Sequence, residues 1–232
     1  MEQSAELLKI DQDVLTKIAN DKAEIVNLSN RNLSDLAIQV VAYAIEKSKK
    51  VFSVNLADNG FTDAVCRDLC RMLSVNHALV FIDLSHNRIG NEGAELLAPG
   101  FLKENKIKTL YLNANAIGPR GCFTLSVAIS RMTRLVSLDL SENPIGDEGM
   151  LGIEKAYTET EGTSSSSLQS LYVDDCGIKE AGAIAAARLM RHLQGLNVLH
   201  IEDNPISNEG ARALLDVAAD GKKKIYMTTG VK

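Results

Sequence analysis

The chain has 232 residues, 45% of them hydrophobic and 24% charged, which is enough apolar material for a core. A formal net charge of −5 and a pI near 5.5 speak against a general nucleic-acid binder and make a basic partner electrostatically easier. The opening MEQSAELLKIDQDVL lacks the basic lead and apolar run of a signal peptide, and no stretch approaches the ~20 apolar residues of a membrane span, so a cytoplasmic protein is expected.

Residues 4–20 carry Leu7, Leu8, Ile10, Val14, Leu15 and Ile18 at roughly helical spacing, which predicts an N-terminal helical cap over residues 1–22. From residue 23 the chain repeats. AEIVNLSNRNL at 23, VFSVNLADNGF at 51, LVFIDLSHNRI at 79, IKTLYLNANAI at 107, LVSLDLSENPI at 135, LQSLYVDDCGI at 168 and LNVLHIEDNPI at 196 share one frame, with starts separated by 28, 28, 28, 28, 33 and 28. An eighth, truncated copy, KIYMTTGVK, is placed at 224, again 28 residues on.

In SLDLS, Leu138 and Leu140 alternate with Ser137, Asp139 and Ser141, the pattern of a short strand with one buried face. After the turn GNEG, GPRG, GDEG and SNEG open a helix in four of the copies, with acids suited to the helix dipole and glycines at 93, 121, 149, 182 and 210 permitting close packing. AELLAPGFL and ARALLDVAA continue with helical apolar spacing.

The pattern LxxLxLxx(N/C)xL at this period resembles the leucine-rich repeat, and 28 residues with a helical second half resembles the ribonuclease-inhibitor type. The resemblance runs from residue 23 to 232 and implies an α/β solenoid, a horseshoe with a parallel sheet on the concave side and helices on the convex side. It also implies a buried side-chain ladder formed by Asn59, Asn87, Asn115, Asn143, Cys176 and Asn204, each satisfying backbone groups of the neighbouring turns. Arg31 takes that place in the first copy and departs from the pattern. The chain is also similar in repeat type to Ran GTPase-activating proteins and to tropomodulin-type domains. Neither the acidic tail of the former nor the long C-terminal helix of the latter is visible in these 232 residues, so no functional residues are expected to carry over.

The five extra residues of the 33-residue copy fall in the serine-rich loop 158–167, a solvated linker whose serines are candidate phosphorylation sites. Cys66, Cys70, Cys122 and Cys176 lack CxxC spacing and sit in apolar surroundings, so they read as reduced core thiols. The lysines of GKKKIYMTTGVK suit an exposed sheet edge, where charge discourages further pairing.

Outward strand positions define the candidate binding face. The central column is Asn27, Asn55, Asp83, Tyr111, Asp139, Tyr172 and His200; Phe81 lies in the column toward the strand starts, and Glu142, Asp174, Asp175, Glu202 and Asp203 toward the strand ends. The four outward columns of the seven copies hold acids and no Lys or Arg. Acids on strands ~4.8 Å apart repel, so Asp174 beside Glu202 and Asp175 beside Asp203 suggest a cationic ligand. The face therefore predicts a protein-interaction scaffold binding a basic partner through Phe81, Asp83, Tyr111, Asp139, Glu142, Tyr172, Asp174, Asp175, His200, Glu202 and Asp203. A Ca²⁺ or Mg²⁺ ion held by Asp174, Asp175, His200, Glu202 and Asp203 is the sharper alternative on the same face. Regulation of a small GTPase is the alternative from another class. No nucleophile elbow, phosphate-cradling loop or paired-acid cleft is evident, and neither an enzyme nor a cofactor is expected.

Overall fold

The computed structural model describes residues 12–103, 106–159, 167–219 and 221–228. Residues 1–11 of the expected N-terminal cap and 160–166 of the serine-rich loop lie outside these residues; the described part of the cap holds one helix, α1 (Gln12–Ala19), whose Ile18 is buried in the core.

From there, three-residue strands alternate with helices: β1 (Ile25–Asn27), α2 (Asp35–Lys47), β2 (Ser53–Asn55), a 3-10 turn (Asp63–Val65) leading into α3 (Cys66–Val75), β3 (Phe81–Asp83), α4 (Asn91–Phe101), β4 (Thr109–Tyr111) and α5 (Pro119–Ile129). There follow β5 (Ser137–Asp139), α6 (Gly146–Glu159), β6 (Ser170–Tyr172), α7 (Glu180–His192), β7 (Val198–His200), α8 (Asn208–Ala218) and β8 (Lys224–Tyr226). All eight strands form one parallel sheet in chain order, so each strand–helix unit stacks on the one before and the chain is a solenoid. Among the described residues no helix is long and apolar enough to cross a membrane.

The alternation in each strand builds the core. Val26, Val54, Ile82, Leu110, Leu138, Leu171 and Leu199 form one inward column and Leu28, Leu56, Leu84, Leu112, Leu140, Val173 and Ile201 a second, all fully buried. Apolar residues of the helices close the core from the other side, each side chain contributing roughly 1.5–3 kcal/mol by its removal from water. Gly210 shows why glycine recurs at the helix starts. A methyl group there would lie 2.8 Å from the Ala183 side chain and 2.9 Å from that of Ile206.

The structure departs from the expected spacing at the last copy. β8 pairs Val198 with Lys224, Leu199 with Ile225 and His200 with Tyr226, so the eighth copy follows the seventh by 26 residues rather than 28. The chain leaves α8 through Gly221, with φ +71°, and enters the strand two residues early. This register packs Ile225 and Met227 against the core; a spacing of 28 would have put Met227 and Thr229 in those places. It also brings Lys224 and Tyr226 onto the outward face. The lysines do more than guard an edge, because Lys223 Nζ donates to the Leu193 and Leu196 carbonyls at 2.8 and 2.9 Å and so closes the end of the last coil.

Copy one keeps its turn despite Arg31. Asn30 and Asn32 adopt left-handed φ of +53° and +49°, the backbone amides of Arg31 and Leu33 donate to Asn59 Oδ1, and the Arg31 side chain lies exposed.

Three of the cysteines have thiols pushed up to about 12, in each case chiefly by burial. At pH 7.5 Cys66, Cys122 and Cys176 are therefore expected to resist a thiol-labelling disulfide in the folded protein, while half-buried Cys70 labels first. Mass spectrometry after a brief pulse checks this, and fast native labelling of Cys122 is the contrary result.

Candidate binding face

The edge of the sheet at the strand ends is organised by two hydrogen-bonded ladders. Asn59, Asn87, Asn115, Asn143 and Asn204 each donate from Nδ2 to carbonyls of their own coil and of the coil before. Cys176 Sγ approaches the Leu140 and Asp174 carbonyls at 3.4 Å in the same place.

A second ladder caps the helix starts. Asp63 Oδ1 accepts from Gly90 N at 2.6 Å, Asn91 Oδ1 from Gly118 N and Gly121 N, and Asp147 Oδ1 from Lys179 N and Gly182 N. Asp35 does the same for Thr62. These side chains tie one coil to the next, a role beyond the helix-dipole preference read from the sequence. The signal was visible as a short polar residue recurring in frame at 35, 63, 91, 147 and 208.

On the outward face, the structure divides the acids by what already holds them. Asp58, Glu142, Asp175 and Asp203 stand, with Asn30, His86 and Ala114, at positions of left-handed backbone with φ between +47° and +56°. Asp and Asn tolerate this conformation better than most residues, so part of the acidity of that column meets a backbone demand. Asp83 and Asp139 accept the backbone N–H two residues on, at Ser85 and Ser141, as Asn27 and Asn55 do in their own coils. Asp83 is further buried by the Ser85 hydroxyl, which donates to it at 2.6 Å. Asp174 Oδ1 accepts from Glu202 N at 2.6 Å, which relieves part of the repulsion expected between those two residues. Asp203 bonds Thr228 of the last copy.

The aromatic residues come together in two groups. Phe81 and Tyr111 meet edge to face with centroids 5.5 Å apart. Tyr172, His200 and Tyr226 stack in a row, at 4.6 Å and 19° for the first pair and 4.2 Å and 11° for the second. Tyr226 was missed because the outward columns took in seven copies and not the truncated eighth; the pairing with His200 sets it in the central column.

His200 is held by its two neighbours with Nδ1 3.9 Å from Glu202 Oε2. Donor atoms of Asp174, His200 and Glu202 all lie within 4.8 Å of one another, and neither Asp175 nor Asp203 belongs to this group. A nitrogen among so few oxygens departs from the hard all-oxygen shell of Ca²⁺ or Mg²⁺, which counts against the five-residue calcium arrangement.

Two of the carboxylates are electrostatically uncomfortable. Burial pushes Asp139 above the ordinary carboxylate range, the Ser141 hydrogen bonds oppose this, and the nearby charges of Glu142 and Asp83 add to it. Asp174 is raised for the same leading reason, with the Glu202 amide and His200 opposing. Neither makes an ion pair among the described residues. The basic residues that do pair, such as Arg71, Arg120 and Arg188, lie on the helices.

Comparison with known proteins fits this architecture. The leucine rich repeat family matches residues 75–98, 132–153 and 192–215. Ribonuclease inhibitor of Mus musculus is 34% identical over 98 residues, and that of Sus scrofa 29% identical over 89. These alignments cover 41% and 38% of this chain and only 21% and 20% of the two relatives, so the chain spans about a fifth of their length. Among solved structures, leiomodin-1 actin-binding site 2 superposes with a TM-score of 0.50 at 20% identity, over 54% of this chain and 76% of that one. The tropomodulin C-terminal domain of Caenorhabditis elegans gives 0.49 at 17% identity, over 79% and 91%. At these identities the structural likeness concerns the fold alone.

Proposed function

We propose that this chain, a leucine-rich repeat protein of the ribonuclease-inhibitor-like type, is a non-enzymatic interaction scaffold whose outward sheet face binds a basic segment of a partner protein. The carrying observation is the pair of carboxylates, Asp139 and Asp174, kept partly desolvated and without an ion pair among the described residues, with Asp139 set between Tyr111 and Tyr172. A carboxylate deprived of water is costly unless paired, and a cationic partner supplies the missing charge at the moment of docking. Glu142 and Glu202 lie exposed at the strand ends, where they would steer such a partner in. Tyr111, Tyr172 and Tyr226 provide large, rigid contact surface of the kind that dominates interfaces. The name of the mouse relative describes inhibition of a ribonuclease, an act of protein binding, although the alignment spans too little of it to transfer that partner. The four free thiols suit a reducing compartment, so we place the protein in the cytoplasm.

The test compares the intact chain with a variant carrying Asp139→Lys, Tyr172→Ala and Glu202→Lys as baits in native cell extract, eluted by a salt gradient. Basic partners are expected on the intact bait, released early by salt, and absent from the variant. An identical partner set on both baits would reject this face as the working surface.

A further inference from the structure

We propose that Tyr111, Asp139 and Tyr172 form a receptor for a single guanidinium group, the side chain of one arginine in the partner's basic segment. The inference rests on the reading of the sheet face above and adds the position and chemistry of its anchor.

The register places the three residues side by side, Tyr111 opposite Asp139 and Asp139 opposite Tyr172, on three consecutive strands. A carboxylate therefore stands between two phenol rings. With strands ~4.8 Å apart, a cation above Asp139 is about one strand step from each ring column, inside the ~6 Å reach of a cation–π contact. Elsewhere in the described column the arrangement differs. Asp83 has Asn55 on one side, and His200 is already closed on both faces by Tyr172 and Tyr226.

The walls are set before any ligand arrives. One face of Tyr172 is taken by the stack on His200, which leaves its other face turned toward β5. Tyr111 is braced from the far side by Phe81. Asp139 Oδ1 is fixed by Ser141 N at 2.9 Å, so the carboxylate does not have to be ordered on binding. A guanidinium fits better than an ammonium: it is planar and weakly hydrated, stacks on aromatic faces, and still presents N–H donors at its edge to the carboxylate.

The experiment is an NMR titration of the full chain, following tyrosine ring and backbone signals, with three probes: acetyl-Gly-Arg-Gly-amide, its lysine counterpart and its citrulline counterpart. The arginine probe is expected to shift Tyr111, Asp139 and Tyr172 with at least threefold higher affinity than the lysine probe, and citrulline is expected to give no response. Asp139→Asn should weaken the arginine probe at least tenfold. Tyr172→Leu, which keeps an apolar residue at the same place, should weaken it severalfold. Equal response to arginine and lysine, or an unchanged response in Asp139→Asn, overturns the guanidinium receptor. A decalysine peptide separates the two levels of the argument. If it binds the sheet face while the arginine probe moves only residues near Glu202, the receptor falls and the basic-partner reading stands. If neither peptide perturbs the sheet face, both fall.

Discussion

Asn143→Ala is expected to remove about 3–5 kcal/mol of stability, a large part of what a domain of this size possesses. Asn143 is 1% exposed. Its Nδ2 donates to the carbonyls of Leu112, Leu140 and Ser141 at 2.9, 3.0 and 3.2 Å, and its Oδ1 accepts from Ile117 N at 3.0 Å. Alanine leaves these groups inside the turn with no replacement side chain. Because each coil touches chiefly its neighbours, the loss should also split the array and broaden the urea transition instead of only shifting it. Asn143→Cys is the informative companion. Copy six works with Cys176, whose sulfur approaches two of the equivalent carbonyls, so cysteine at 143 should cost less than half of what alanine costs. A loss below about 1 kcal/mol for alanine would mean that water enters the turn and replaces the ladder.

The fold was legible because apolar residues at the same place in each repeat were asked to do one thing. Leu110, Leu138, Leu171 and Leu199 each need only to be apolar and inward, and one frame finds them all. The end of the array was misread for a physical reason. A two-residue slip in a strand preserves which side chains point inward, so the alternation in KIYM suited either register and could not choose between them. What decides is how many apolar residues reach the core, a comparison that needed Met227 and Thr229 weighed together. The face was harder still, because aspartate there serves two masters. At Asp175 and Asp203 it suits left-handed backbone, and at Asp83 and Asp139 it caps a turn, while its charge remains available to a ligand. The sequence shows the acid and not the constraint that selected it. Asn27 and Asn55 make the distinction visible: they perform the same backbone task without charge, so the turn alone does not require the acid at 139.

That comparison yields the second expected result. The double variant Asp139→Asn, Asp174→Asn should melt higher than the parent at pH 7, by roughly 2–4 °C, while losing affinity for cationic partners. Both carboxyls have folded-state affinities for protons raised above the ordinary range, with burial the leading cause. A raised carboxyl pKa means that the folded state binds the proton more tightly than the unfolded chain. Stability from this source is complete below the ordinary carboxylate range and is lost as pH rises through the raised values, so at pH 7 both ionised groups weigh against the fold. Asparagine removes the charge and keeps an acceptor for Ser141 N and Glu202 N, as Asn55 does for Ala57 N at 2.9 Å. Calorimetry between pH 7 and the carboxylate range should show the advantage of the variant shrinking as the parent's own carboxyls take up protons. A variant that melts lower at pH 7 would make the two charges part of what holds the coils together. A higher melting point joined to weaker binding would mean that the chain keeps two acids at a cost to its own stability, and the cost is explained by a cation that arrives from outside.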